Sequence, residues 1–75
     1  MKVAKEIVEV PITGKITSIN VKPGDQIQEG DVICILESMK MENPILAPAD
    51  GTIGEVSVSS GQVVKPGETI VVIDT

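Results

Sequence analysis

A repeat with a period of 37 residues is the feature that most constrains how this 75-residue chain can fold. When residues 51–75 are laid over residues 14–38, three glycines coincide, and so do six apolar positions. Solenoids with repeats of this length need about three units to bury a continuous apolar face, and this chain has only two. The repeat therefore predicts a single small domain, residues 1–75, in which a pseudo-two-fold axis relates two similar halves.

The apolar residues are of the types that favour strands. The chain has 11 Val and 11 Ile but only 2 Leu, and it contains no Phe, Trp or Tyr. β-branched side chains pack well on a pleated sheet and lose rotamer freedom in a helix. We therefore predict an all-β fold, with very short strands around Ile27 and Val64 and longer strands at 4–10, 15–21, 31–37, 42–47, 52–58 and 68–74.

Net charge and missing residue types exclude several functions. A net charge of −5 repels phosphates, and a chain without aromatic residues cannot stack bases or anchor in a membrane interface. There is no His and only one Cys, so the usual general base and most transition-metal ligand sets are absent. Four charges in the first ten residues leave no apolar stretch for a signal peptide. We expect a cytoplasmic chain that is neither a zinc hydrolase nor a Ser-His-Asp enzyme, contains no metal, binds no nucleic acid and does not insert into membranes.

The residues between the two halves interrupt the symmetry. Ser38–Met41 joins a strand ending near Glu37 to one starting near Glu42, which predicts a hairpin. Tight hairpin turns favour Asn-Gly or Asp-Gly because both central residues need positive φ, and methionines are unusual at such an exposed turn.

A lysine in a turn is nearly always only a solvated charge, but this one lies at the junction of the repeat. We therefore interpret Lys40 as an amine presented to a modifying enzyme between two adaptable side chains, Met39 and Met41. The offset carries Lys40 onto Val3, so the two-fold axis would place the hairpin and the termini on opposite sides of the domain.

The other polar and reactive residues have simpler interpretations. Cys34 lies in the apolar run VICIL, which predicts a small buried side chain and not a reactive thiol. Glu37 and Glu42 either orient the hairpin, contact a basic partner surface, or are simply solvated charges at the ends of two strands. Four acids lie in or beside predicted turns, where we expect them to cap the turns: Asp25, Asp31, Asp50 and Glu68.

The motifs of this chain resemble those of biotinyl domains. ESMKMENPILAP is similar to the biotin-attachment motif, usually Glu-Ala-Met-Lys-Met, and PITGKI and PGDQIQEGDVICILES are similar to the rest of that family. The resemblance covers residues 7–75. It implies a flattened β-barrel, or barrel-sandwich hybrid, of two four-stranded antiparallel sheets, with biotin attached to Lys40 and with Met39 and Met41 as flanking motif residues. Ser38 stands where the family usually has Ala.

The same resemblance implies a biotin carboxyl carrier that is not itself an enzyme. It would be a non-catalytic subunit or domain whose biotin moves carboxylate between the active sites of a carboxylase, a decarboxylase or a transcarboxylase. The implied partners are biotin protein ligase and the biotin carboxylase and carboxyltransferase or decarboxylase subunits. Two alternatives stay open: a lipoyl carrier domain of a 2-oxo acid dehydrogenase-type complex, whose lysine usually lies in Asp-Lys-Ala, and an unmodified structural barrel. The short connection from Val21 to Ile27 disfavours the protruding insertion of some acetyl-CoA carboxylase carriers.

Overall fold

A computed structural model describes residues 4–75, and those residues form two four-stranded sheets without any helix. Strand order is β1-β8-β6-β3 in one sheet and β5-β4-β2-β7 in the other, and all neighbouring strands are antiparallel. The predicted all-β flattened barrel is confirmed. The strands are β1 (Lys5–Glu9), β2 (Gly14–Ile19), β3 (Gln26–Ile27), β4 (Val32–Ser38), β5 (Met41–Leu46), β6 (Gly51–Val56), β7 (Val63–Val64) and β8 (Thr69–Asp74).

The 37-residue offset carries one sheet onto the other. It moves β2 onto β6, β3 onto β7, β4 onto β8 and β1 onto β5, so each strand order becomes the other. The irregularities in strand pairing are also related by the 37-residue offset. The β2–β4 register shifts between Ile16 and Ser18, and the β6–β8 register shifts between Ile53 and Glu55. The pseudo-two-fold relation is thus present in the register as well as in the order of strands. Val3, the residue equivalent to Lys40, lies outside the described residues.

The core lies between the two sheets and is built from equivalent pairs of apolar side chains. Ile33 and Ile70 are fully buried, as are Cys34 and its equivalent Val71. Because a valine takes the place of Cys34 in the other half, the cysteine acts here as a small apolar side chain. Burial also raises the pKa of the Cys34 thiol, which disfavours the reactive thiolate. The prediction of a buried, unreactive Cys34 agrees with this environment.

Polar side chains cap the turns, again in equivalent pairs. The backbone N–H of Lys22 donates to the Asp25 carboxylate at 3.0 Å, and that of Ser59 donates to the side chain of Gln62, also at 3.0 Å. β2 ends at Ile19, before the predicted residue 21. Asn20 N donates once more to β4, at the carbonyl of Ile33, and the turn capped by Asp25 begins at Lys22. The other predicted acids also accept backbone N–H groups: Asp31 from Gln28, Glu68 from Lys65, and Asp50 from Glu29.

Residues 4–75 contain no helix that could span a bilayer.

Candidate functional site

The hairpin between β4 and β5 turns on two residues in a left-handed conformation. Ser38 and Met41 are paired across the strands, and between them Met39 has φ 53° and Lys40 has φ 65°. Two positive φ angles in a two-residue loop define a type I′ turn. Such angles cost a non-glycine residue roughly 1–2 kcal/mol each. Among the described residues these are the only non-glycine residues with positive φ. The predicted hairpin is confirmed, and its turn is strained.

Two side chains that the sequence reasoning did not identify hold this turn in place. Ser38 Oγ donates to the carbonyl of Thr13 at 2.8 Å, which ties the hairpin to the turn before β2. Asn43 Nδ2 donates to the carbonyl of Leu36 at 3.3 Å and to that of Met41 at 3.2 Å. These bonds support the strand ends on both sides of the strained residues.

The repeat could have pointed to both side chains, because the other half lacks these bonds. The offset pairs Asn43 with Glu6, whose carboxylate cannot donate a hydrogen bond. It pairs Ser38 with Thr75, whose hydroxyl donates instead to the carbonyl of Ala4. The three bonds made by Ser38 and Asn43 therefore belong to the hairpin half alone, and they are the local departures from symmetry that accompany the turn.

Gly14 permits the close approach of β2 to the base of the hairpin. A Cβ atom at this position would lie 2.5 Å from the backbone oxygen of Glu37 and 2.9 Å from Cδ1 of Leu36. Only glycine leaves room for that contact. Because Thr13 precedes Gly14 directly, the same approach brings the Thr13 carbonyl within reach of Ser38.

The three predicted site residues lie together at the exposed tip. Met39 is 91% exposed, Met41 is 65% exposed, and Lys40 between them is exposed as well. Beside Met39, an open depression of about 620 Å³ is lined mainly by apolar surface from Ile12 and its neighbours in the preceding turn. The tip can therefore offer a primary amine together with apolar surface on either side.

Acidic residues form the base of the hairpin. Glu37 on β4 and Glu42 on β5 are directly opposite one another, and both are exposed. Like charges opposite one another destabilise a strand pair. On its other side Glu37 is paired with Lys15 of β2, whose charge offsets part of this repulsion.

The described residues contain no cluster of three or more His, Cys, Asp or Glu side chains that could hold a metal ion.

Comparison with known proteins agrees with this geometry. The family model described as "Biotin-requiring enzyme", the biotin/lipoyl model, matches residues 2–73. The chain belongs to the biotin/lipoyl attachment family. The resemblance inferred from the sequence motifs is thereby confirmed.

Relatives in this biotin/lipoyl attachment family differ greatly in length. The biotinylated protein TB7.3 homolog of Mycobacterium leprae is 47% identical over 68 residues, which are 91% of this chain and 96% of that protein. The biotin carboxyl carrier protein of Streptococcus mutans is 40% identical over 70 residues, covering 93% of this chain and 54% of that protein. The urea carboxylase of Kluyveromyces lactis superposes with a TM-score of 0.86 at 27% identity, covering 93% of this chain and 6% of that one.

Ser38→Ala tests whether the hydroxyl stabilises the hairpin. The change removes the bond to Thr13 and should cost about 0.5–1.5 kcal/mol, the usual net value of one hydrogen bond. Because the loss is local, amide hydrogen exchange at residues 38–41 should accelerate more than exchange in the core. Ser60→Ala is the matched control, since its hydroxyl donates to the carbonyl of Thr17 on the body of the domain. Equal acceleration of the hairpin in both variants would contradict a local role for Ser38.

Proposed function

We propose that this chain is a biotin carboxyl carrier and that Lys40 is the residue to which biotin is attached. The observation that carries the proposal is the type I′ turn, which holds the Lys40 amine at an exposed apex at the expense of two unfavourable φ angles. Backbone strain of this kind is kept where the surrounding structure supports it and function requires it. No other described lysine lies at such a turn.

Membership of the biotin/lipoyl attachment family, and relatives that are named as biotinylated or as biotin carboxyl carriers, support biotin as the group attached. The residues of the tip fit a covalent group of this kind. Lys40 supplies a primary amine on a long stem, and the open surface around it imposes no enclosing pocket. When bound, biotin supplies the carboxyl-carrying chemistry, so the chain needs no catalytic group of its own.

Attachment is an acyl transfer to Lys40 Nζ. The neutral amine attacks the carbonyl carbon of an activated biotin, the N–C bond forms, the leaving group departs, and one amine proton passes to a base. The described residues beside Lys40 offer two methionines and no histidine, so we assign both the activation and the base to biotin protein ligase. The amide removes the charge of Lys40, which changes the net charge of the chain from −5 to −6, that is, −5 − 1.

The body of the domain acts as a rigid support. Its two sheets pack around a fully buried core, and the tip projects from a strand pair that lies at the end of one sheet. We assign the partner enzymes to the carboxylase and decarboxylase class, with biotin carboxylase and carboxyltransferase or decarboxylase subunits as the sites between which the tip moves. Holding the carrier in such an assembly raises the effective concentration of its tip at each site. The cytoplasmic location stays a prediction.

A lipoyl carrier is the second candidate, because the family model covers both attachments. The methionines on either side of Lys40 favour biotin, since the lysine of lipoyl domains usually lies in the sequence Asp-Lys-Ala. The deciding experiment is the intact mass of the chain after separate expression with active biotin ligase and with active lipoate ligase. A biotin adduct with the first enzyme alone supports the proposal. A lipoyl adduct alone, or no adduct with either enzyme, would contradict it.

The double variant Met39→Leu/Met41→Leu distinguishes the attachment of biotin to Lys40 from the delivery of that biotin to partner enzymes. Leucine keeps the volume and apolar character of methionine but is stiffer, so it should fit irregular partner surfaces less well. We expect biotinylation to survive while turnover with reconstituted partner enzymes falls. Asp25→Ala and Glu68→Ala change the body instead, and both should keep normal turnover under conditions where circular dichroism shows them folded. Normal turnover in the leucine variant, with loss in the two body variants, would mean that partners recognise the body.

A further inference from the structure

We infer that the free edge of β1 is an interface for a second copy of this chain, with β1 and its copy paired antiparallel about Ile7. Within residues 4–75, β1 is the outermost strand of its sheet and pairs with β8 alone. Ile7 is 56% exposed on this strand, which is high for a large apolar side chain inside a regular strand. The inference concerns a surface in the sheet that does not contain the Lys40 hairpin.

The backbone of β1 presents an alternating set of free groups at this edge. The carbonyl of Ala4 accepts from Thr75 N, and Val10 N donates to the carbonyl of Glu68. These two residues therefore face β8, and because antiparallel bonding alternates along a strand, so do residues 6 and 8. The N–H and C=O groups of Lys5, Ile7 and Glu9 point the other way. They can form a new ladder without disturbing the pairing of β1 with β8.

The equivalent edge strand in the other half of the repeat cannot add a strand in this way. The offset carries β1 onto β5, the outermost strand of the second sheet, and carries Ile7 onto Pro44. A proline at that position has no N–H to donate, and prolines on edge strands commonly prevent strand addition. Of the two equivalent edges, one is blocked at its central residue and the other is left open there.

Charge complementarity identifies the second copy as the occupant. In an antiparallel pair centred on Ile7, Ile7 is opposite its own copy, and Lys5 is opposite Glu9 in both directions. Residues 5, 7 and 9 share one face of the strand, and all three are exposed. The pairing therefore places one Lys5–Glu9 pair on each side of the contact between the two Ile7 side chains. Opposite charges that face each other across paired strands stabilise the pairing. The corresponding residues of β5 are Glu42, Pro44 and Leu46, which have no such complementarity with themselves.

The resulting dimer would be a two-fold, isologous assembly with one continuous eight-stranded sheet, in the order β3-β6-β8-β1-β1-β8-β6-β3. Five residues from each copy form the ladder, so the buried area is smaller than that of a standard stable interface, and association should be weak and concentration-dependent. Both Lys40 hairpins remain free, because β4 and β5 belong to the other sheet.

Sedimentation velocity over a series of concentrations, on the full chain, tests this pairing through its charges. Wild type should shift from monomer toward dimer as concentration rises. Lys5→Glu and Glu9→Lys should each abolish that shift, because like charges then face each other, and the double variant should restore it. Lys22→Glu makes the same charge change as Lys5→Glu away from the edge and should dimerise as wild type does. Absence of a dimer in wild type, or a dimer unaffected by both single reversals, would overturn the inference.

Ile7→Pro tests the backbone ladder. It removes only an outward-facing N–H, and Pro44 is tolerated at the equivalent position, so the variant should remain folded by circular dichroism and fail to dimerise. If that variant does not fold, the two charge reversals and their double variant decide the matter. If Ile7→Pro folds and dimerises like wild type, the edge is not the interface.

Discussion

The Lys40→Arg variant should carry no biotin when it is expressed with active biotin ligase, whereas the wild-type chain should be labelled. Arginine keeps the positive charge and similar reach, but its delocalised guanidinium does not form the amide. The turn should persist in the variant, since arginine meets the same φ constraint as lysine. Streptavidin blotting together with intact mass measures the result directly.

Lys15→Arg is the matched control for this prediction. Lys15 is paired with Glu37 at the base of the hairpin, so it lies near the tip without lying on it. That variant should be biotinylated normally. A streptavidin signal that persists in Lys40→Arg, or that disappears in Lys15→Arg, would move the attachment site away from the apex. The comparison therefore asks whether the ligase requires the turn or only a lysine in its neighbourhood.

Much of the fold can be predicted from the sequence because the repeat presents each structural signal twice. Each glycine and each apolar position is supported by its equivalent 37 residues away, so the two halves gave independent predictions of the same topology. Even the very short β3 and β7 lie where Ile27 and Val64 predicted them. The ends of strands were less accurate, since β2 and β6 stop at Ile19 and Val56, before the predicted residues 21 and 58. There the chain makes one more bond to the sheet, from Asn20 and from Ser57, and then enters turns capped by side chains.

The candidate site is only partly predictable, because residue types can be read from the sequence and distances between strands cannot. Met39, Lys40 and Met41 were identifiable because these residue types are poorly suited to a tight turn. The repeat marks Ser38 and Asn43 only as departures from symmetry, because their roles depend on which carbonyl lies within reach. That distance is set by the approach of β2 at Gly14, which no local pattern around the hairpin encodes. The free edge of β1 is likewise not predictable from the sequence, because recognising it requires knowing which strand is outermost.

Ile33→Ala and Ile70→Ala should each destabilise the domain by about 2–5 kcal/mol, the usual cost of truncating a large buried aliphatic side chain. Both isoleucines are 0% exposed, one in β4 and one in β8, and the repeat makes them equivalent. Small domains have a total stability of only about 5–15 kcal/mol, so either change removes a large share of it. Urea denaturation monitored by circular dichroism gives the free energy of unfolding of each variant.

The equivalence of these two residues makes the comparison more informative than either measurement alone. If the pseudo-two-fold packing governs stability, the two losses should agree closely, while Val63→Ala, at a side chain 67% exposed, should change little. The local effects should differ, however, because β4 leads directly into the Lys40 hairpin and β8 does not. Ile33→Ala should therefore speed amide exchange at residues 38–41 more than Ile70→Ala does at equal global stability. A large loss in only one variant would mean that the two halves contribute unequally to the core, despite their shared register.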